Sequence, residues 1–210
     1  MHVRADNPFE VAGDDRSRFQ GLQRRGDELA GAGEHELARQ CYNRAARCAP
    51  SEPAPYVGLG HVWIHTGRLD RAERAFRIAI RLDADCAAAY DGLAMIQQHR
   101  RQYPAAFETY LQSLSRNGDN LVALLGLFQM SCKMGTFERI IGYLQRYLAG
   151  HPGDAAVLLC LGSLYAREGR WQDASRALRQ VLRAEPHKRE AALLLAEVNA
   201  AMLAAPGAAG

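Results

Sequence analysis

Gly33, Gly67, Gly135 and Gly169 stand on a single 34-residue ladder, and its one missing rung is Arg101. An interval of that length confines the chain to architectures in which one supersecondary unit packs on copies of itself. Counted from Phe19, five contiguous units share a register. Position 4 reads Leu22, Tyr56, Tyr90, Leu124 and Leu158, and position 11 reads Leu29, Trp63, Gln97, Ser131 and Tyr165. Position 24 reads Tyr42, Phe76, Tyr110, Leu144 and Leu178. Position 8 is small at Gly26, Gly60, Ala94 and Gly162 but not at Phe128, and position 20 is Ala38, Ala72, Ala106, Ile140 and Ala174. Position 32 carries Pro50, Pro152 and Pro186.

Positions 4, 7, 8 and 11 fall at helical spacing and form one apolar stripe, and positions 20, 24, 27 and 28 form a second. Each unit therefore reads as two helices joined by a turn. The glycine at position 15 suits the left-handed residue that ends the first helix, and the small residues at 8 and 20 let the two helices approach. Composition agrees: Ala occurs 36 times, Leu 25 and Arg 24, whereas Val, Ile and Thr together reach 17. Ala, Leu and Arg lose little freedom in a helix, while strands draw on the β-branched residues that are scarce here.

Large residues at 4, 11 and 24, small ones at 8 and 20 and a helix breaker at 32 resemble the tetratricopeptide repeat over residues 19–188. The resemblance implies an all-α fold, a right-handed α-α superhelix of five helix hairpins (19–52, 53–86, 87–120, 121–154 and 155–188). A capping helix is expected at 189–203, with Ala191, Leu194, Leu195, Val198 and Met202 covering the fifth hairpin. Its outer residues Leu193, Ala196, Ala200 and Leu203 are apolar, which suggests weak self-association through the cap. Residues 1–18 and 204–210 lack apolar periodicity and read as flexible tails. The fourth unit departs from the pattern: Phe128, Ile140 and Tyr147 are large where the other units are mostly small. Overpacking of that kind costs about 1–3 kcal/mol unless relieved. A wider or rotated hairpin is expected there, with Gly126 and Gly142 taking part of the crossing.

Chemistry is sparse. The glycines follow no strand and there is no Gly-x-Ser-x-Gly elbow, so an enzyme is not expected and no cofactor is implied. The five cysteines are odd in number and far apart, which fits reduced thiols rather than disulfides or a zinc site. His61 and His65 lie four residues apart and His99 repeats the second one unit later, but a third ligand and its supporting shell are lacking, so no metal is expected. A formal charge of +3 is too small to require nucleic acid. No apolar run approaches the roughly 20 residues that span a bilayer, and a secretory leader is not apparent. A cytoplasmic location follows, with the Arg-over-Lys bias pointing to a bacterial source.

In the implied superhelix, positions 5, 9 and 13 of the first helices face the concave groove. They supply His61, His65, Asp91, Met95, His99, Leu125, Gln129, Lys133, Leu159, Ser163 and Arg167 as candidate partner-binding residues. His65, His99, Lys133 and Arg167 form a basic row beside Leu125 and Leu159, which suits a protein or peptide partner with acidic groups and apolar anchors. Two readings stay open at this point: the leucines floor the groove, or neighbouring helices cover them. The clamp by which some members of the family hold acidic chaperone tails is not assembled, because Gln23, Asp27, Gly58, Ala88 and Gly92 occupy its positions. The chain thus reads as a non-catalytic adaptor or scaffold. One alternative is a secretion-type chaperone that shields a hydrophobic export substrate. Another is weak nucleic-acid binding through the outer arginines Arg68, Arg71, Arg74, Arg77 and Arg81, although Asp70 and Glu73 lie among them, and Asp70 with Arg74 and Glu73 with Arg77 are spaced as helix ion pairs.

Overall fold

The computed structural model describes residues 15–204. Among these there are eleven α-helices and no strand: α1 (Asp15–Gly31), α2 (His35–Cys48), α3 (Ala54–His65), α4 (Leu69–Leu82), α5 (Ala87–His99), α6 (Tyr103–Arg116), α7 (Leu121–Met134), α8 (Glu138–Gly150), α9 (Ala155–Arg167), α10 (Trp171–Ala184) and α11 (Arg189–Ala204). The boundaries follow the 34-residue register. Residues 15–18, assigned to a tail from sequence, instead form the first turn of α1, and the remainder of both expected tails lies outside the described residues. Two compact units divide the chain, 1–117 and 118–210.

In the first unit, α1 packs on α2, α3 on α4 and α5 on α6, and each second helix also meets the next first helix. The turns reuse one geometry. Gly67 adopts φ +73°, its N–H donates to the Ile64 carbonyl at 3.0 Å, and the Arg68 N–H donates to the Trp63 carbonyl at 2.7 Å. Arg101, on the missing rung, adopts φ +60° and the same pair of bonds, Arg101 to Gln98 and Gln102 to Gln97, both 2.9 Å. The register imposes the turn although the residue opposes it, since a Cβ in the left-handed region costs about 1–2 kcal/mol.

The core of this unit is a ring between two backbones. A Cβ on Gly26 would lie 2.5 Å from the Tyr42 ring, and one on Gly58 would lie 2.6 Å from the same ring. Gly60 approaches Phe76 equally closely, at 2.5 Å, and Gly92 closes on Phe76 from the other side. The position-24 aromatic thus sits between position 8 of its own unit and position 6 of the next. Ala38 and Ala72, at position 20, are fully buried beside these rings. Burying a side chain such as Phe76 contributes about 1.5–3 kcal/mol, and the Tyr42 hydroxyl keeps a partner by donating to Asp27 Oδ1 at 2.8 Å.

In the second unit, Asn120 caps α7 by accepting from the N–H groups of Val122 and Ala123, and Asp154 caps α9 by accepting from Val157 N–H at 3.0 Å. The α9/α10 pair repeats the close approach, since a Cβ on Gly162 would lie 2.9 Å from Leu178. By contrast α7 and α8 meet along a short stretch. Phe128 stays half-buried while Ile140 and Leu144 are fully enclosed, which is what a widened hairpin requires. Gly142 takes no part in the crossing: it is exposed, and nothing lies within 4 Å of where its Cβ would be. Tyr147 is accommodated at the helix end, where it stacks on His151 at 4.3 Å and donates to Asp154 Oδ2 at 3.1 Å. On α11, Ala191 and Val198 are buried and Leu194 and Leu195 half-buried, but Met202, in the last turn of the helix, is exposed rather than covering the hairpin.

Gly58→Ala is expected to destabilise by about 1–3 kcal/mol through overpacking against Tyr42. Arg101→Gly, by relieving the left-handed strain against a more flexible unfolded chain, is expected to stabilise by about 0.5–1 kcal/mol. Urea titration of both variants measures the two opposite shifts.

Candidate functional site

In each unit the first helices carry the sequence-derived candidates. In the first unit, His61 projects from α3 and meets the Phe76 ring edge-on at 5.3 Å. Burial, reinforced by the neighbouring His65, pushes the His61 imidazole below its ordinary pKa. His65 is exposed at the end of α3 and stacks on His35 of α2 at 5.2 Å, a pairing the sequence had not suggested. Met95 is half-buried and His99 exposed on α5. Asp91 is not a groove residue: only 5% exposed, it lies close enough to Tyr110 to help burial push that phenol up to about 12. Among the described residues no group of three His, Cys, Asp or Glu side chains is placed to hold a metal ion. All five cysteines are free thiols, and burial pushes Cys160 up to about 12.

In the second unit a pocket of about 630 Å³ opens between α9, the start of α10 and α11. Ser163 and Arg167, two of the sequence candidates, line it with Trp171, Leu193, Leu194 and Glu197. Leu193 is 57% exposed and forms its apolar floor, and Arg167 is exposed at its rim. Glu190 and Glu197 also line it, so the pocket is amphipathic rather than simply basic. The Ser163 hydroxyl is occupied, donating to the Leu159 carbonyl at 2.9 Å. Leu159 itself is buried and supplies no floor, because α9 lies against α7, α8, α10 and α11 together. Leu125, half-buried, and the exposed Gln129 and Lys133 sit on α7 and do not line this pocket.

Trp171 and His35 lie outside the sequence-derived candidates, although the register contains a signal for both. Position 17, the first or preceding residue of each second helix, reads His35, Leu69, Tyr103, Phe137 and Trp171, bulky in every unit. Two of these rings meet position 13 of the following repeat: His35 stacks on His65, and the Arg167 guanidinium lies over Phe137 at 5.8 Å from its centroid. On the opposite face, Arg77 pairs with Glu73 at 2.6 Å as expected. Asp70 does not pair with Arg74. Arg100, from the next repeat, reaches both Asp70 and Glu73 at 2.7 Å and takes its place.

Serial helix pairs with a fixed 34-residue register define a repeat scaffold. Two family models, each described as tetratricopeptide repeat, match residues 64–120 and 132–198, together more than half of the chain. The chain belongs to the tetratricopeptide repeat family, whose fold serves protein–protein interaction and whose members are typically non-catalytic. It is 27% identical over 126 residues to a CTR9 homolog of Arabidopsis thaliana, covering 60% of this chain and 12% of that protein. It is 31% identical over 146 residues to cellulose synthase operon protein C of Xanthomonas axonopodis pv. citri, covering 66% and 10%. The chain thus spans about a tenth of the length of these two relatives. Among solved structures it is similar to Pseudomonas aeruginosa pilF, with a TM-score of 0.76 and 16% identity over 90% of this chain and 87% of that one. No helix of the described residues is long and apolar enough to cross a membrane.

His61 makes stability fall with acid. Its unfolded imidazole titrates near 6.5 and the folded one lower, so below about pH 6.5 the unfolded chain binds more protons and the folded state loses ground. His61→Gln is expected to shrink the drop in Tm between about pH 7.5 and 5. A drop as large as that of the wild type would show that burial of His61 does not drive it.

Proposed function

We propose that this protein is a non-catalytic adaptor that holds a segment of a protein partner, with the pocket between α9 and α11 in the second unit as the anchoring point. One observation carries the reading: Leu193 is 57% exposed in a pocket of about 630 Å³ that is already bordered by Trp171, Arg167 and Glu197. An exposed leucine beside an aromatic ring and an arginine is the composition that concentrates binding energy at interfaces. The mixed charge at the rim favours a partner segment that offers an apolar side chain to Leu193 and Leu194 and both an acceptor for Arg167 and a donor for Glu197. Within the pocket, therefore, the anchor supplies affinity and the charges supply orientation.

The test begins with a photo-crosslinking residue at position 193 and, as a control, at Leu82, which is exposed on the second-helix face. A partner captured from 193 but not from 82 is then purified and its Kd measured. Leu193→Glu, at an exposed site that leaves folding intact, is expected to weaken it by at least about tenfold. Equal affinity for both proteins, or capture from 82 alone, rejects the anchoring role of this pocket.

A further inference from the structure

A second recessed surface lies on the opposite face of the first unit. A pocket of about 420 Å³ is enclosed by α2, α3 and α4, with Tyr56, Leu59, Trp63 and Ile78 as its apolar lining and Arg71 and Arg74 at its edge. The same two arginines border an adjoining pocket of about 470 Å³ around Arg68 and Arg100. Arg100 is neutralised by Asp70 and Glu73. Among the described residues Arg71 and Arg74 form no ion pair, and both are exposed. Two uncompensated guanidinium groups therefore stand beside an apolar recess.

The chain contains its own comparison. The same repeat positions build a pocket of about 400 Å³ in the second unit, from α8, α9 and α10. There Gln145 Nε2 donates to the Tyr165 hydroxyl at 2.7 Å across the two helices. Asp173 stands in the register of Arg71 and is held by Arg170 at 2.7 Å, and Gln180 stands in the register of Ile78. In the first unit Asn43 and Trp63 replace Gln145 and Tyr165. Asn43 is one methylene shorter, and the indole N–H of Trp63 has no partner, so no bridge spans the helices. One architecture has thus been built twice, once bridged and close to neutral, once unbridged, apolar and doubly cationic.

We propose that the pocket between α2, α3 and α4 is a docking site for an acidic protein segment, which inserts one bulky apolar side chain over Leu59 and Ile78 and sets flanking carboxylates on Arg71 and Arg74. Arginine suits that task because its planar fork meets a carboxylate with two parallel hydrogen bonds. Nucleic acid is the poorer occupant, because Asp70 and Glu73 place carboxylates beside the basic patch where a phosphate backbone would run. The site is distinct from the pocket between α9 and α11 and does not depend on it.

Fluorescence anisotropy tests the assignment with three labelled probes: a decapeptide with one phenylalanine flanked by aspartates and glutamates, the same peptide with serine for phenylalanine, and a ten-nucleotide oligouridine. The wild type is expected to bind the first peptide saturably, with affinity falling as salt rises, and to bind the serine peptide at least about tenfold more weakly. The double variant R71A/R74A, folded by circular dichroism, is expected to lose at least about tenfold, whereas R176A, in the second-unit counterpart, and Leu193→Glu are expected to bind like the wild type. No saturable binding by the wild type, unchanged affinity in R71A/R74A, or loss in R176A or Leu193→Glu overturns the proposal. So does oligouridine binding that depends on Arg71 and Arg74 and exceeds that of the peptide.

Discussion

Tyr42 and Phe76 each lie between the backbones of two consecutive first helices, and glycine on either side is what makes room for them. One added methyl at Gly26, Gly58, Gly60 or Gly92 would enter the volume of a ring. The spacing between neighbouring helix pairs is therefore fixed by the thickness of an aromatic side chain laid against bare backbone. Everything displayed on either face of the first unit inherits its position from that constraint. Close-packed interiors resist small volume changes, so such a wedge holds its geometry better than a layer of flexible aliphatic chains.

The second unit relaxes the same rule. Leucine replaces the ring at Leu144 and Leu178, and the fourth repeat places Phe128 on its first helix at position 8, where the other units are small. The ring cannot enter fully, α7 and α8 touch only briefly, and tight packing resumes between α9 and α10. The cap then lies on α9 and α10 but leaves Leu193 uncovered, which produces the recess argued to hold a partner. Stability and recognition are thus separated along the sequence, with aromatic wedges in one place and an unfilled apolar floor in another.

Charge is distributed by the same repeat logic. A ring at position 17 lies against the basic or titratable residue at position 13 of the next repeat, as at His35 with His65 and Phe137 with Arg167. Such contacts hold side chains that would otherwise be free, since a guanidinium over a ring face gains from the π-system. On the second-helix face the pairing runs between repeats too: Arg100 takes Asp70, which local spacing offered to Arg74, and shares Glu73 with Arg77. Arg74 is left without a carboxylate as a result and joins the unpaired Arg71 in a cationic rim that the near-neutral composition conceals.

Helix number, helix boundaries and the left-handed turns were legible in the sequence, because they depend on spacings within a few tens of residues and on what glycine and proline permit. At Arg101 the sequence showed only a missing rung, and the left-handed turn there was seen once the structure gave its φ of +60°. Which candidates face open solvent was not legible. Asp91 and Leu159 occupy positions that the repeat assigns to a groove, yet both are covered, because exposure depends on how far the neighbouring helices lean over a residue. The glycines at position 6 were visible as letters but had no role until a ring from the preceding repeat was seen to lie on them. Local periodicity is written in the chain by backbone geometry; burial, cross-repeat ion pairs and the two recesses arise only when separate helices meet, and so they belong to the tertiary structure alone.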